Sequence, residues 1–142
     1  MSSSQPSADI ALYNEPPTTD EYLNLRAASG LSPFSRQAAE RGLAGSVHAV
    51  TLRAGQELVG MGRLIGDGGC FFQVVDIAVR PDHQGQGLGT RIMRALMDWV
   101  EAELPTSAYI SLIADGEANR LYARFGFAAT APASIGMAFR KP

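Results

Sequence analysis

Three glycines stand within the seven residues His83–Gly89, "HQGQGLG", directly before a long helical pattern. Glycine is poorly suited to a helix interior, so a cluster at this position serves something other than helix formation. With so few side chains in the way, the backbone N–H groups around Gly85, Gly87 and Gly89 can converge on one point. The start of the following helix adds its first-turn donors and about half a positive charge. That chemistry favours a phosphate or pyrophosphate; the alternative is a plain glycine-rich turn. Two familiar phosphate loops do not fit. A P-loop ends in Gly-Lys-Ser/Thr, whereas Gly89 is followed by Thr90 and Arg91. A dinucleotide fingerprint needs G-x-G-x-x-G, and Thr90 stands where the third glycine belongs.

Other side chains could carry a reaction. Tyr122 in "NRLYARF" is a phenol that stays protonated at neutral pH and can give up a proton; core packing is its plainer role. Asp76 is the ionisable residue of the run "CFFQVVDIAV" (Cys70–Val79). Alternation sends it to the face opposite Gln73 and Val75 unless a bulge turns it round. A polar role in a site and a structural hydrogen bond both remain open for it. Arg63 could meet an anion or be a solvated strand residue. His83 is read as solvent-exposed, His48 as an outer-strand residue without a role, and Cys70 as half-buried packing.

The elements that must position these groups follow from periodicity. "DIALYN" (Asp9–Asn14) reads as a short strand. After Pro16 and Pro17 a helix begins, with Thr18 and Glu21 at capping-box spacing, and Gly30 ends it. "SPFSRQAAERGLAGS" reads as a second helix with Pro33 near its first turn. Val47–Ala54, "ELVGMGRLIGDGG" and Cys70–Val79 form an antiparallel meander with turns at "GQ" and "DGG". After Gly89, the residues Ile92, Met93, Leu96, Met97, Val100 and Leu104 recur at helical spacing up to Pro105. Ala108–Ala114 is a strand and Gly116–Phe125 a short helix. "GFAAT" and "IGMAFRK" are expected as two final strands around Pro132. The order β-α-α-β-β-β-α-β-α-β-β is that of one mixed α/β domain.

Composition narrows the partners. With 142 residues, 46% of them apolar and 18% charged, the chain suits one globular domain with a sizeable core. Twelve Lys and Arg against fourteen Asp and Glu leave a net charge of −2, which argues against nucleic acid as a partner. The single cysteine permits no intrachain disulfide and no Cys-based zinc site, so no metal is expected and a reducing cytoplasm suits the chain. No apolar run approaches the ~20 residues of a membrane span. "MSSSQPSAD" has no basic or apolar stretch, so residues 1–8 are expected as a flexible tail and residues 9–142 as the domain.

The loop "VRPDHQGQGLG" resembles the acyl-CoA signature of the GNAT superfamily of N-acetyltransferases, Arg/Gln-x-x-Gly-x-Gly/Ala, here on Gln84, Gly87 and Gly89. "ANRLYARFGF" resembles that family's later motif, with Asn119, Tyr122, Gly126 and Phe127 in register. The element order is also similar, and the resemblance covers almost the whole chain, most weakly before Val47. It implies an α/β fold: a single GNAT-like domain whose mixed, mostly antiparallel central sheet splays at the acyl-CoA slot and is flanked by about four helices.

The resemblance further implies acetyl-CoA as acyl donor. It places the pyrophosphate on Gln84, Gly85, Gln86, Gly87, Leu88 and Gly89, plus Thr90. The strand at Asp76–Val79 would splay from that at Tyr109–Ile113. The pantetheine arm would lie along Ile77 and Val79 like an added strand, with a backbone N–H near Ile77 or Ala78 polarising the thioester. Tyr122 matches the family's general acid, and Asn119 would bond the pantetheine or help close the site. Relatives often carry Glu or His on the strand before the loop. Gln73 and Val75 stand at the matching positions here, which leaves Asp76 as the ionisable candidate, with proton removal through water, or an acceptor that arrives neutral, also open. "DIAV" followed by "QGQGLG" is similar to glucosamine-phosphate N-acetyltransferases, whose acidic pair is reduced here to its second acid.

Tyr13, Arg26, Leu31, Phe34, Arg63 and Met137 are the candidates for lining the acceptor side. Their aromatic content suits a small-molecule amine such as an arylalkylamine. Direct acetyl transfer to a primary amine is the expected reaction. The alternatives are a protein or peptide N-acetyltransferase and a non-catalytic acyl-CoA sensor. The last strand offers an edge on which two copies could pair, as members of this family often do.

Overall fold

The computed structural model describes residues 9–142; the expected tail at residues 1–8 lies outside them. Strands β1 (Ile10–Tyr13), β2 (His48–Ala54), β3 (Glu57–Gly66), β4 (Phe71–Val79) and β5 (Tyr109–Ser111) form one sheet in that order. The first four pair antiparallel and β5 joins β4 in parallel. Helices α1 (Thr19–Ala28) and α2 (Arg36–Ala44) cover one face, and α3 (Leu88–Glu103) covers the other. Helix α4 (Asn119–Ala123) lies beside α3, with its Leu121 and Tyr122, and Phe125 just after it, against the core of that face.

Local sequence explains where the helices begin. Thr18 caps α1: its Oγ1 accepts from the Glu21 N–H at 3.2 Å, and its own N–H donates to Glu21 Oε1 at 3.0 Å. This is the expected capping box. The second helix starts later than the sequence suggested. Ser35 is its N-cap, accepting from the Ala38 N–H at 3.1 Å, so Pro33 lies in the preceding loop. A hydroxyl that satisfies a first-turn donor outranks a proline as a start signal here.

Two cores sandwich the sheet. Ile92, Met93, Leu96 and Val100 of α3 pack on Val50, Leu52, Val59 and Val74. Tyr22, Leu25, Ala39 and Leu43 of α1 and α2 pack on Leu58, Met61 and Ala78. Gly62 has no room for a side chain: a Cβ there would stand 2.5 Å from Ile92 and 2.7 Å from Ile77. Its bareness lets α3 lie directly on β3.

Three expectations are corrected. The two final strands do not form; residues 124–142 contain neither helix nor strand. "AATAPAS" has no large apolar side chain to bury, and a turn holds it through Ser134 N–H to the Thr130 carbonyl at 3.1 Å. The segment is instead fastened by Arg140, which donates to Ser32 Oγ at 2.9 Å and to the Pro33 carbonyl at 3.4 Å. Ile135, Met137 and Phe139 are left 71%, 86% and 87% exposed. His48 lies on the second strand rather than an outer one; it stacks on Trp99 at 4.6 Å and burial lowers its pKa. Cys70 is exposed rather than half-buried, because the turn "DGG" precedes it and β4 begins only at Phe71.

Candidate active site

The site begins with a defect in β4. Met61 faces Ala78 and Arg63 faces Val75, so two steps on β3 oppose three on β4. The extra residue is accommodated at Asp76, whose φ is +61°. The bulge reverses the alternation beyond it. Phe72 and Val74 belong to the α3 core, yet Ala78 belongs to the α1–α2 core and Ile77 packs on the α3 side. Asp76 is thereby turned to the α1–α2 face, which plain alternation would have denied it.

There it is held by three donors. Arg26 Nη1 pairs with Oδ1, while Oδ2 accepts from Arg63 Nε at 2.9 Å and from the Tyr22 hydroxyl at 2.7 Å. The Asp76 side chain is only 6% exposed. Burial raises the Tyr22 pKa first, and its hydrogen bond to Asp76 adds to this. Cations and rings alternate outward from the carboxylate. Arg63 lies 5.5 Å and Arg26 5.7 Å from the Tyr22 ring; Arg26 lies 4.5 Å and Arg140 5.0 Å from the Phe34 ring. Arg26 also donates twice to the Ser32 carbonyl, at 3.0 and 2.6 Å. This ladder joins β3, β4, α1, the α1–α2 loop and the end of the chain.

Strands β4 and β5 pair only from Phe71 to Gln73 with Tyr109 to Ser111. Beyond that they splay, as expected, and two cavities open. The larger, about 470 Å³, is a groove lined by Ile77, Ala78, Val79, the His83–Thr90 loop except Gln86, and α4 with its flanking residues Ala118 and Arg124. Gly85 and Gly87 have φ of +81° and +78°, and a Cβ on either would meet nothing within 4 Å. Gly87 is the N-cap of α3 and offers no side-chain cap, so the first-turn N–H groups remain available to a ligand. The smaller cavity, about 220 Å³, is bounded by Arg26, Leu31, Asp76, Ile113, Asp115 and Tyr122, among others. That exceeds the ~150 Å³ that accommodates benzene, so it fits a compact molecule.

Ile77, Ala118 and Tyr122 line both cavities. Tyr122 therefore stands where the contents of one would meet those of the other. Burial raises its pKa above the ordinary 10.0, and the charge of Asp115 raises it further, so the phenol keeps its proton at neutral pH.

Of the residues singled out in the sequence, Ile77, Ala78, Val79, Gln84, Gly85, Gly87, Leu88, Gly89, Thr90 and Tyr122 line the groove. Gln86 does not line it, and its Oε1 is buried without a partner. Asn119 opens α4 but is exposed and lines neither cavity. Arg26 and Leu31 line the smaller cavity, while Phe34 and Arg63 support it through the ladder. Tyr13 sits on β1 at the opposite edge of the sheet, and Met137 is exposed, so neither joins the cavity. His83 lines the groove with Nδ1 3.2 Å from Asp82. Sequence reading missed Arg124, which lines the groove and donates to Thr90 Oγ1 at 3.1 Å, and Asp115. The only signal for Arg124 was its place two residues after Tyr122.

Among the described residues no group of three or more His, Cys, Asp or Glu could hold a metal, and no helix is long and apolar enough to cross a membrane.

The family model "Acetyltransferase (GNAT) domain" matches residues 19–136. A solved structure from meticillin-resistant Staphylococcus aureus, described as a protein of unknown function and probable acetyltransferase, is 45% identical. The match covers 93% of this chain and 99% of that one, with a TM-score of 0.88. A GNAT family acetyltransferase from Streptococcus pneumoniae is 24% identical over 93% and 98% of the two chains, TM-score 0.75. Glucosamine-6-phosphate N-acetyltransferase from Arabidopsis thaliana is 14% identical over 92% and 98%, TM-score 0.65; these last two show the fold alone. Among curated proteins, none matches.

Proposed function

Because the chain belongs to the GNAT acetyltransferase family, we propose that it moves an acetyl group from acetyl-CoA to a primary amine of a small molecule in one ternary complex. The observation that carries this reading is the meeting of groove and cavity at Tyr122. The groove suits the donor: two glycines at positive φ leave space where side chains would stand, and α3 presents uncapped N–H groups there. The loop Gln84–Thr90 would hold the pyrophosphate, with Gln86 shaping the loop and Arg124 adding a positive charge. Ile77, Ala78 and Val79 would line the pantetheine, and Asn119 would close over it from α4.

Acetyl-CoA supplies the activated acyl group. The amine nitrogen gains the new C–N bond and the C–S bond breaks; an acceptor that arrives as an ammonium ion first gives one proton to solvent, and the amine proton lost on acylation ends on the thiol. Tyr122, protonated at neutral pH, gives its proton to the departing sulfur and recovers one from the new amide nitrogen. Asp76 receives three donors already. In this reading it takes no proton but holds Arg26 in the wall of the acceptor cavity, with Arg63 behind it. The small cavity favours a compact acceptor over a peptide. The cysteine usage suits a cytoplasmic enzyme.

Thiol release from acetyl-CoA against arylalkylamines, amino sugars, polyamines and short peptides tests this, with Tyr122→Phe in parallel. Turnover confined to compact amines, and lowered about a hundredfold or more in the variant, is expected. Silence throughout, with CoA still bound, would overturn the enzyme reading in favour of a sensor.

A further inference from the structure

Four ionisable side chains line the smaller cavity: Arg26, Asp76, Asp115 and Tyr122. An acceptor amine arriving as an ammonium ion needs an anion, and three of the four cannot provide one. Arg26 is a cation. The Asp76 carboxylate is taken by Arg26, Arg63 and Tyr22 and is nearly closed to solvent. Tyr122 is a neutral phenol. Asp115 is different. Among the described residues it forms no ion pair.

Its position is fixed from the backbone. After β5 the chain turns at Gly116, with φ +56°, and the Asp115 carbonyl accepts the Ala118 N–H at 3.1 Å. That turn leads straight into α4, so one short segment carries both Asp115 and Tyr122. Both line the same cavity, and the charge of Asp115 adds to the burial that raises the Tyr122 pKa. Asp115 is exposed, so its carboxylate stays hydrated until a ligand arrives and meeting an ammonium there costs little desolvation.

We propose that Asp115 seats the ammonium group of the acceptor beside Tyr122, and that the site selects small molecules positively charged at the nitrogen to be acylated. Arg26, which lines the same cavity, disfavours the ammonium group beside itself and so favours its seat at Asp115. This deepens the acetyl-transfer reading and rests on it for the events after binding, but not for binding itself.

The test is the affinity of amine–alcohol pairs of matched shape, phenethylamine with 2-phenylethanol and butylamine with butanol, for CoA-saturated protein at pH 7. The wild type is expected to prefer the amine of a pair by about ten- to a hundredfold, the range of a charge-assisted hydrogen bond. Asp115→Asn should bring the ratio near one, Asp115→Glu should keep most of it, and CoA affinity should be the same in all three. A ratio unchanged in Asp115→Asn, or a wild type that binds amine and alcohol alike or neither, overturns the proposal. Thiol release from acetyl-CoA is followed separately. A charge preference at Asp115 without thiol release would sink the transferase reading and leave this site standing. Equal turnover in wild type and Asp115→Asn would sink the site and leave the transferase.

Discussion

At the scale of single residues, Tyr122 and Gly87 carry the sharpest expectations. The Tyr122 phenol holds its proton because burial, and then Asp115, raise its pKa above 10.0. A donor with a raised pKa is fully present below the ordinary value and is lost only as pH climbs through the higher one. The wild-type rate should therefore rise with pH as the amine loses its proton, and Tyr122 should not curtail that rise below pH 10. Rates measured from pH 7 to 10 check this, and an earlier fall would contradict it. Gly87 has φ +78°, where any side chain is strained. Gly87→Val should cost about 1–2 kcal/mol of stability and leave a folded protein. Its side chain would also project where a phosphate would lie, so CoA affinity should drop at least tenfold by calorimetry; unchanged affinity would remove the loop from the site. These residues were legible because their chemistry is written in adjacent letters. Asp115 was not: nothing in "IADGEAN" reveals that a turn places this residue along the same cavity as Tyr122. Nor was the partner set of Asp76, whose three donors come from residues 13 to 54 positions away.

Among the elements, α1 shows how one side chain can serve two purposes. Glu21 completes the capping box and also pairs with Arg53 of β2, at 2.6 and 2.9 Å. Chiefly through its hydrogen bonds with Arg53, against some burial, its pKa falls from the ordinary 4.5 to about 2. A lowered carboxylate pKa stabilises the fold fully above pH 4.5, and that contribution fades as pH drops through about 2. Glu21→Gln should thus melt below the wild type at pH 6, and the gap should close toward pH 2. Melting curves at pH 6, 4 and 2.5 give the answer, a constant gap being the contrary result. The capping box was readable because its letters lie three apart. The helix α3 was readable from its apolar period. The bulge in β4 was foreseen only as a condition, because alternation specifies faces but not where an extra residue breaks it. The missing final strands illustrate a further limit: "IGMAFRK" has strand-like alternation, but a strand also needs a partner edge, and that depends on distant parts of the chain.

Across the whole molecule, the sheet ends at β5, a strand of three residues, and the last segment of the chain leaves Ile135, Met137 and Phe139 exposed. Phe71, Tyr109 and Ile113 are also 53–67% exposed. Isolated apolar side chains on a surface are ordinary, but an alternating apolar segment and an open sheet edge on one chain favour self-association. Two copies are expected to pair in solution through these segments. Sedimentation should show a dimer that Phe139→Asp shifts toward monomer; a wild-type monomer at tens of micromolar would refute the pairing. The ladder that ends at Arg140 also separates the two cavities along the chain. Every residue that lines the groove lies between Ile77 and Arg124, whereas the smaller cavity draws the outermost rung of its bracing ladder from Arg140. A change in the last residues of the chain can therefore loosen the smaller cavity while leaving the lining of the groove intact.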